Sequence, residues 1–257
     1  MPLKLQKLRR FGQNFLDREM SGKIADDLPC SLQDEVLEIG PGHGALTEWL
    51  LPKCQRLTAV EIDNFCIPKL REKFKNSKNF NLVHENFLRF DIEAWLNEHQ
   101  NSWLAGNLPY NMATAIISHI LPHISKTKGC MFMAQLEVAE RIIAKNYGSF
   151  SVFCACYAKS RIIRLIGPEH FSPKPKVNSA TVLLEPLAKP LCTEENFFAF
   201  VRAAFSQKRK ILANSLSSRY NENKILSILK NMNLGENTRA EELSPEMLLN
   251  FYYFTSL

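Results

Sequence analysis

Between Val36 and about Ala134, short apolar and β-branched runs alternate with stretches of helical periodicity, and this alternation restricts the chain more than any other feature. Val36–Ile39, Leu57–Val60, Asn81–Val83, Trp103–Ala105 and Cys130–Met133 read as strands, with Ala45–Leu51 and Ala113–Ile124 as helices between them. Such a pattern predicts a parallel, doubly wound α/β sheet. Two further strand-like runs, Arg161–Leu165 and Ala180–Leu184, are joined by the proline-rich stretch from Pro168 to Pro175, which suits a hairpin at the sheet's edge. The expected sheet is therefore mixed, mostly parallel and about seven-stranded.

Beyond Pro186 and Pro190 the character changes, because Glu194–Leu216, Glu222–Met232 and Pro245–Phe254 carry helical spacing and no convincing strand. A catalytic-sized domain over residues 1–188 and a small all-helical domain over 189–257 follow. No internal repeat or low-complexity tract interrupts either part.

With 46% of its 257 residues apolar, the chain can bury one large core and a smaller second one. No apolar run reaches the roughly 18 to 20 residues of a membrane span, and the basic start lacks the apolar stretch of a secretory signal. The expectation is a soluble, cytoplasmic protein with no membrane partner. Seven cysteines without a Cys-x-x-Cys pair fit neither a disulfide framework nor a zinc site, so they read as reduced packing residues and no metal is expected. The net charge is +6, and residues 1–23 hold six basic against two acidic side chains. This arm, with Arg9 and Arg10, and the distant knot Lys208-Arg209-Lys210 are candidate contacts to a polyanion.

The first strand runs into Gly40-Pro41-Gly42-His43-Gly44 and then a helix, a turn that lets backbone approach a nucleoside closely. Glu61 follows at the end of the next strand, where a carboxylate accepts hydrogen bonds from both hydroxyls of a ribose. A dinucleotide site would ask for Gly-x-Gly-x-x-Gly and a pyrophosphate on the helix N-terminus. Here the spacing is Gly-x-Gly-x-Gly, and Pro41 removes a donor from the loop, which favours the phosphate-free donor S-adenosylmethionine over a nicotinamide cofactor.

Asn107-Leu108-Pro109-Tyr110 stands directly after the strand Trp103-Leu104-Ala105-Gly106, at the carboxyl edge where open α/β sheets bind ligands. These residue types suit methylation of an adenine amine. Its nitrogen lone pair is delocalised into the ring and becomes nucleophilic when two acceptors hold its protons out of the ring plane. The Asn107 side-chain carbonyl and the Leu108 backbone carbonyl are those acceptors, Pro109 restricts Leu108 to an extended conformation, and Tyr110 stacks on the base. Transfer would be an in-line attack that needs position and electrostatics and no covalent nucleophile.

Six motifs in order resemble the ribosomal RNA adenine N6,N6-dimethyltransferase family, from about Arg10 to the C-terminal helices. They are Phe11–Leu16, Leu37–Gly42, Glu61–Asp63, Asn107–Asn111, Phe171–Ala180 and Ala204–Lys210. The resemblance implies a Rossmann-like class I methyltransferase fold. It implies that Asn14, Leu16, Gly40, Glu61, Asn86 and Asn107 contact S-adenosylmethionine, and that Tyr110 and Phe171 flank the target base, as aromatic side chains do for unpaired bases. The Phe11–Leu16 arm and the Pro175–Ala180 stretch favour the small-subunit branch. The implied product is two adjacent dimethyladenosines in the 3′-terminal hairpin loop of 16S rRNA, made on an immature, late-assembling 30S subunit by a monomer. Relatives that methylate a large-subunit adenosine share the glycine turn and the Asn107 motif.

Three departures stand out. Asn86 occupies a position where the family usually has aspartate, which removes a charge-assisted bond to the donor's adenine amine. The segment between Arg141 and Tyr147-Gly148 is shorter than usual, and Lys174 stands where proline is common. Two further classes fit parts of the pattern: an assembly factor whose particle binding is the main role, and an NAD-dependent oxidoreductase resting on the glycine turn and Glu61 alone.

Overall fold

A computed structural model describes residues 15–144, 147–207 and 210–256. Its contacts divide the chain into two compact units, one of residues 1–140 and 160–186, the other of residues 141–159 and 187–257.

The first unit is built on a seven-stranded sheet of β2 (Glu35–Ile39), β3 (Arg56–Glu61), β4 (Phe80–His84), β5 (Ser102–Asn107), β6 (Gly129–Gln135), β7 (Ala158–Ile166) and β9 (Ser179–Pro186), in the order β4-β3-β2-β5-β6-β9-β7. The pairs β4–β3, β3–β2, β2–β5 and β5–β6 are parallel, and β9 runs antiparallel to β6. The mostly parallel sheet agrees with the alternation in the sequence. β9 lies inside the order and β7 at its edge, so the later strand is inserted between β6 and the earlier one. Central strands β2, β3, β5 and β6 are buried almost throughout, as parallel strands covered on both faces are, whereas β4 at the opposite edge is only partly buried.

Around the sheet lie α1 (Arg18–Asp27), α2 (Thr47–Leu50), α3 (Ile67–Lys73), α4 (Ile92–Glu98), α5 (Ala113–Ile120) and α6 (Leu136–Ile143). Asp17 caps α1 by accepting the Met20 N–H at 2.7 Å, and Asp91 caps α4 by accepting that of Ala94 at 2.9 Å. The α-helix at Ala45–Leu51 is shorter than its periodicity suggests: it ends at Leu50 and tightens into a 3₁₀ turn, Leu51–Lys53, that carries Pro52. Ala113–Ile124 likewise ends as an α-helix at Ile120 and continues as a 3₁₀ turn, Leu121–Lys126, with Pro122. In both cases proline lacks the N–H that would continue the helical ladder.

Two short strands, β1 (Phe15–Leu16) and β8 (Phe171–Ser172), pair antiparallel and lie below the length at which periodicity shows. The same junction is held by the Asp17 N–H, which donates to the His170 carbonyl at 2.8 Å, and by the 2.7 Å contact of His170 Nδ1 with the Asp17 carboxylate.

The second unit contains α7 (Ser149–Tyr157), α8 (Glu195–Ala204), α9 (Leu212–Leu216), α10 (Glu222–Asn231) and α11 (Pro245–Ser256). Its core is aromatic: Phe153, Phe197, Phe198, Phe200, Phe251 and Tyr252 meet at ring-centroid distances of 4.8 to 6.5 Å. A single cut at residue 188 does not describe this division. Residues 141–159 group with the C-terminal helices because Phe153 and Tyr157 pack on Phe198, and the Tyr157 and Cys156 carbonyls accept the Leu187 and Leu191 N–H groups. Glu194–Leu216 is two helices, α8 and α9, with the basic knot falling between them.

Candidate functional site

The carboxyl ends of β2, β3, β4 and β5 lead into four loops that surround one cavity of about 290 Å³ in the α/β unit, closed at one side by Phe15 and Leu16. Parallel strands make this convergence, since every strand delivers its following loop to the same edge.

Gly42 shows why the glycine turn needs its composition. Its φ of +56° is a conformation other residues rarely adopt, and a Cβ there would stand 3.2 Å from the Phe15 ring. The Gly40 N–H donates to the Val60 carbonyl at 2.9 Å, which lashes the turn to β3. The Gly42 N–H donates to Glu61 Oε2 at 2.9 Å, while Glu61 Oε1 accepts from Ile62 at 2.9 Å and Asp63 at 2.8 Å. Glu61 is therefore a strut for the loop as well as a cavity-lining acceptor. Burial pushes its pKa up, and the three backbone donors partly offset that.

Glu38 is the site residue the motif reading missed. It is 1% exposed, lines the cavity, and its Oε2 has no hydrogen-bond partner among the described residues. Burial raises its pKa to about 7. A single carboxylate inside the apolar run Val36-Leu37-Glu38-Ile39 was the available signal, because an acid is buried at a strand centre only where something compensates it. His43, part of the glycine turn but given no role in the motif reading, stacks on Phe15 with centroids 4.0 Å apart and rings 7° from parallel.

Asn86 lines the cavity, but its side-chain carbonyl already accepts the Leu88 N–H at 3.1 Å, and its backbone carbonyl accepts those of Arg89 and Phe90. Asn107, Leu108, Pro109 and Tyr110 all line the cavity. The Leu108 N–H donates to the Met133 carbonyl at 3.0 Å, which carries the β5–β6 pairing past the end of the strand and fixes the peptide before Pro109. Gly106 permits the close approach of β5 to β2, since a Cβ there would lie 2.5 Å from the Ile39 carbonyl oxygen. Tyr110 is half-buried and its hydroxyl lies 2.6 Å from Ser179 Oγ. Burial raises the phenol's pKa, and the Ser179 hydrogen bond lowers it in part.

The structure thus brings together Leu16, Gly40, Glu61, Asn86 and Asn107 to Tyr110. It does not bring Phe171. That ring is 6% exposed, sits opposite Leu16 in the β1–β8 ladder within the core, and does not line the cavity. Asn14, Arg9, Arg10, Lys208 and Arg209 lie outside the described residues. Lys210 is exposed between α8 and α9. All seven cysteines are free and six are buried, with burial pushing the Cys54 and Cys66 thiols up to about 12. Among the described residues no cluster of three or more His, Cys, Asp or Glu is placed to hold a metal, and no helix is long and apolar enough to cross a membrane.

Residues 4–256 match the family described as ribosomal RNA adenine dimethylase. The chain is 36% identical over 247 residues to the ribosomal RNA small subunit methyltransferase A of Clostridium botulinum (strain Kyoto / Type A2), covering 93% of this chain and 90% of that one. It is 36% identical over 251 residues to the protein of the same name from Fusobacterium nucleatum, covering 94% of each. Among solved structures, a dimethyladenosine transferase from Plasmodium falciparum superposes with a TM-score of 0.81 at 21% identity, covering 95% of this chain and 98% of that one. The 23S rRNA methyltransferase ErmE superposes with a TM-score of 0.74 at 25% identity, covering 95% and 100%.

Proposed function

Because the chain belongs to the ribosomal RNA adenine dimethylase family, we propose that it transfers methyl groups from S-adenosylmethionine to N6 of adenosine in small-subunit ribosomal RNA. The specific product is two adjacent N6,N6-dimethyladenosines in the 3′-terminal hairpin loop of 16S rRNA, made by a cytoplasmic monomer on a late 30S assembly particle.

One observation carries the reading. The cavity beside Asn107–Tyr110 is lined by two buried carboxylates, Glu38 and Glu61, and by no lysine or arginine among the described residues. Two buried acids, one of them with an unsatisfied oxygen, suit a ligand that brings positive charge and hydroxyl donors, as the ammonium, sulfonium and ribose of S-adenosylmethionine do. A pyrophosphate would meet repulsion there, and the turn has little to offer it: Pro41 has no N–H, and that of Gly42 is committed to Glu61. The residues present therefore fit the methyl donor and disfavour a dinucleotide.

S-adenosylmethionine supplies an electrophilic methyl carbon when bound. Glu61 accepts from the ribose hydroxyls while holding the glycine turn, and Glu38 faces the cationic end. Leu16, Gly40 and Asn86 complete the wall, and Asn14 is a further contact to the donor. The Asn107 side-chain carbonyl and the Leu108 carbonyl accept the adenine amine's two protons, which turns its lone pair toward the methyl carbon. Tyr110 stacks on the base. Arg9, Arg10, Lys208, Arg209 and Lys210 meet the RNA backbone, a contribution that weakens as salt rises.

The direct test is to incubate the protein and labelled S-adenosylmethionine with small subunits that lack the modification, then identify the methylated nucleoside and its position by mass spectrometry. N6,N6-dimethyladenosine in the 3′-terminal hairpin loop is the expected product. Tight particle binding without transfer would overturn the enzymatic reading in favour of an assembly factor.

A further inference from the structure

The segment from Phe171 to Ala180 marks the family in sequence; Phe171 is buried in the core, and the rest has no part in the chemistry described above. Its last residues make a long-range contact. Tyr110 and Ser179, 69 positions apart, join their hydroxyl groups at 2.6 Å.

The two partners differ in freedom. Ser179 is fully buried and stands opposite Gln135 in the β6–β9 ladder, and the neighbouring Asn178 carbonyl accepts the Leu136 N–H at 2.9 Å. Its hydroxyl is therefore mounted on backbone tied down at both residues. Tyr110 lies in the turn after β5, half-buried at the cavity wall. One is a fixed post and the other a pendant ring.

We propose that Ser179 is a positioning residue that holds the Tyr110 ring in one orientation against the target adenine, and so sets how completely the second methyl group is added; this rests on the adenine methylation proposed above. In each transfer the N6 lone pair forms the new N–C bond as the S–CH₃ bond breaks onto sulfur, and one N6 proton passes to solvent. The unmodified amine offers two N–H groups to the Asn107 and Leu108 acceptors. After the first transfer it offers one. Half of the hydrogen-bonded grip is lost, and the base plane must be held to a greater extent by stacking. A phenol already anchored to Ser179 has less freedom to lose when the base arrives, which is the benefit of preorganisation. Loss of the anchor therefore slows the second transfer more than the first.

The experiment compares wild type, Ser179→Ala, Tyr110→Phe, the double variant and Ser179→Thr on small subunits lacking the modification, with N6-methyladenosine and N6,N6-dimethyladenosine quantified at equal total methyl transfer. Ser179→Ala and Tyr110→Phe should each reduce kcat roughly two- to tenfold, the range of one hydrogen bond. Both should raise the monomethyl fraction several-fold and leave donor affinity by calorimetry unchanged. The double variant should be no worse than either single one, and Ser179→Thr should restore completion. In the free protein labelled with ¹³C-tyrosine, the Tyr110 phenol carbon resonance should shift in Ser179→Ala.

An additive double variant, or a Ser179→Ala product as fully dimethylated as that of wild type, would overturn the inference while leaving the proposed function intact. No methylated adenosine from wild type would remove both. If Ser179→Ala fails to fold, Tyr110→Phe breaks the same bond without touching the core, and an unchanged monomethyl fraction there is equally decisive against the proposal.

Discussion

The α/β unit and the helical unit solve the problem of a stable interior differently. In the first, aliphatic strands pair through backbone hydrogen bonds, and the four central ones are buried almost throughout. In the second, aromatic rings of α7, α8 and α11 pack edge-on and stacked. Where a ladder fixes the backbone, the side chains at its ends can serve chemistry, and the α/β unit carries Glu38, Glu61 and Asn107 at that edge. Where each helix satisfies its own backbone and ring packing fixes how the helices meet, each ring is needed for shape. The difference predicts a separation: changes at the sheet edge should alter chemistry more than stability, and changes in the ring cluster the reverse.

The largest effect is expected from Phe200→Ala. The ring is 1% exposed and touches Phe197, Phe251 and Tyr252, so its removal should cost about 3 to 5 kcal/mol, read by denaturant unfolding. Donor binding by the folded fraction should be unchanged; a loss of affinity there would break the comparison. Asn107→Ala should lower the rate of transfer by roughly 10²- to 10³-fold with little change in Tm, measured by single turnover and thermal melting. Equal destabilisation by these two variants would mean that the units do not differ in the way described.

Glu38 sharpens the contrast because it is a chemical group that should weaken its own unit. Its folded-state pKa of about 7 lies above the ordinary 4.5. The associated stability is fully present below about 4.5 and is lost as pH rises through 7, amounting to about 3 kcal/mol. Unfolding without donor at pH 5 and pH 8 should show that slope in wild type and a flatter profile in Glu38→Gln, with the variant gaining stability at the higher pH. The smallest effect is expected from Gly106→Ala. Its added methyl would meet the Ile39 carbonyl oxygen at 2.5 Å and push β5 from β2, costing about 1 to 3 kcal/mol. This variant should also reduce donor affinity in calorimetry, since both strands feed the cavity.

Much of this architecture is legible in the sequence. The alternation from Val36 to Ala134 reports the parallel sheet because strand and helix periodicities are local, and Gly40–Gly44 reports a turn because its backbone needs are local too. The Asn107–Tyr110 motif is found by the same logic, since its chemistry requires contiguous residues. The features that escaped are those in which local pattern was outweighed. Pro52 directly follows one apparently helical run and Pro122 falls within another, and both lie in the 3₁₀ turns that end those helices. Phe171 is buried opposite Leu16 in a two-residue ladder too short for any local pattern to report. Residues 141–159 lead into β7 and include its first two residues, yet Phe153 and Tyr157 pack with the helical unit.

The sequence by itself determined the strand-rich first part and helical second part, the glycine turn, the acid at the end of the next strand, and the acceptor tetrapeptide, because each is written in residues close together. Only the tertiary structure decided that β9 is inserted between β6 and β7, that Glu38 shares the cavity with Glu61, and that Tyr110 is anchored by Ser179. These depend on side chains brought together across long stretches of chain, and that encounter is selected by the burial and hydrogen bonding of the whole fold, not by the preferences of neighbouring residues.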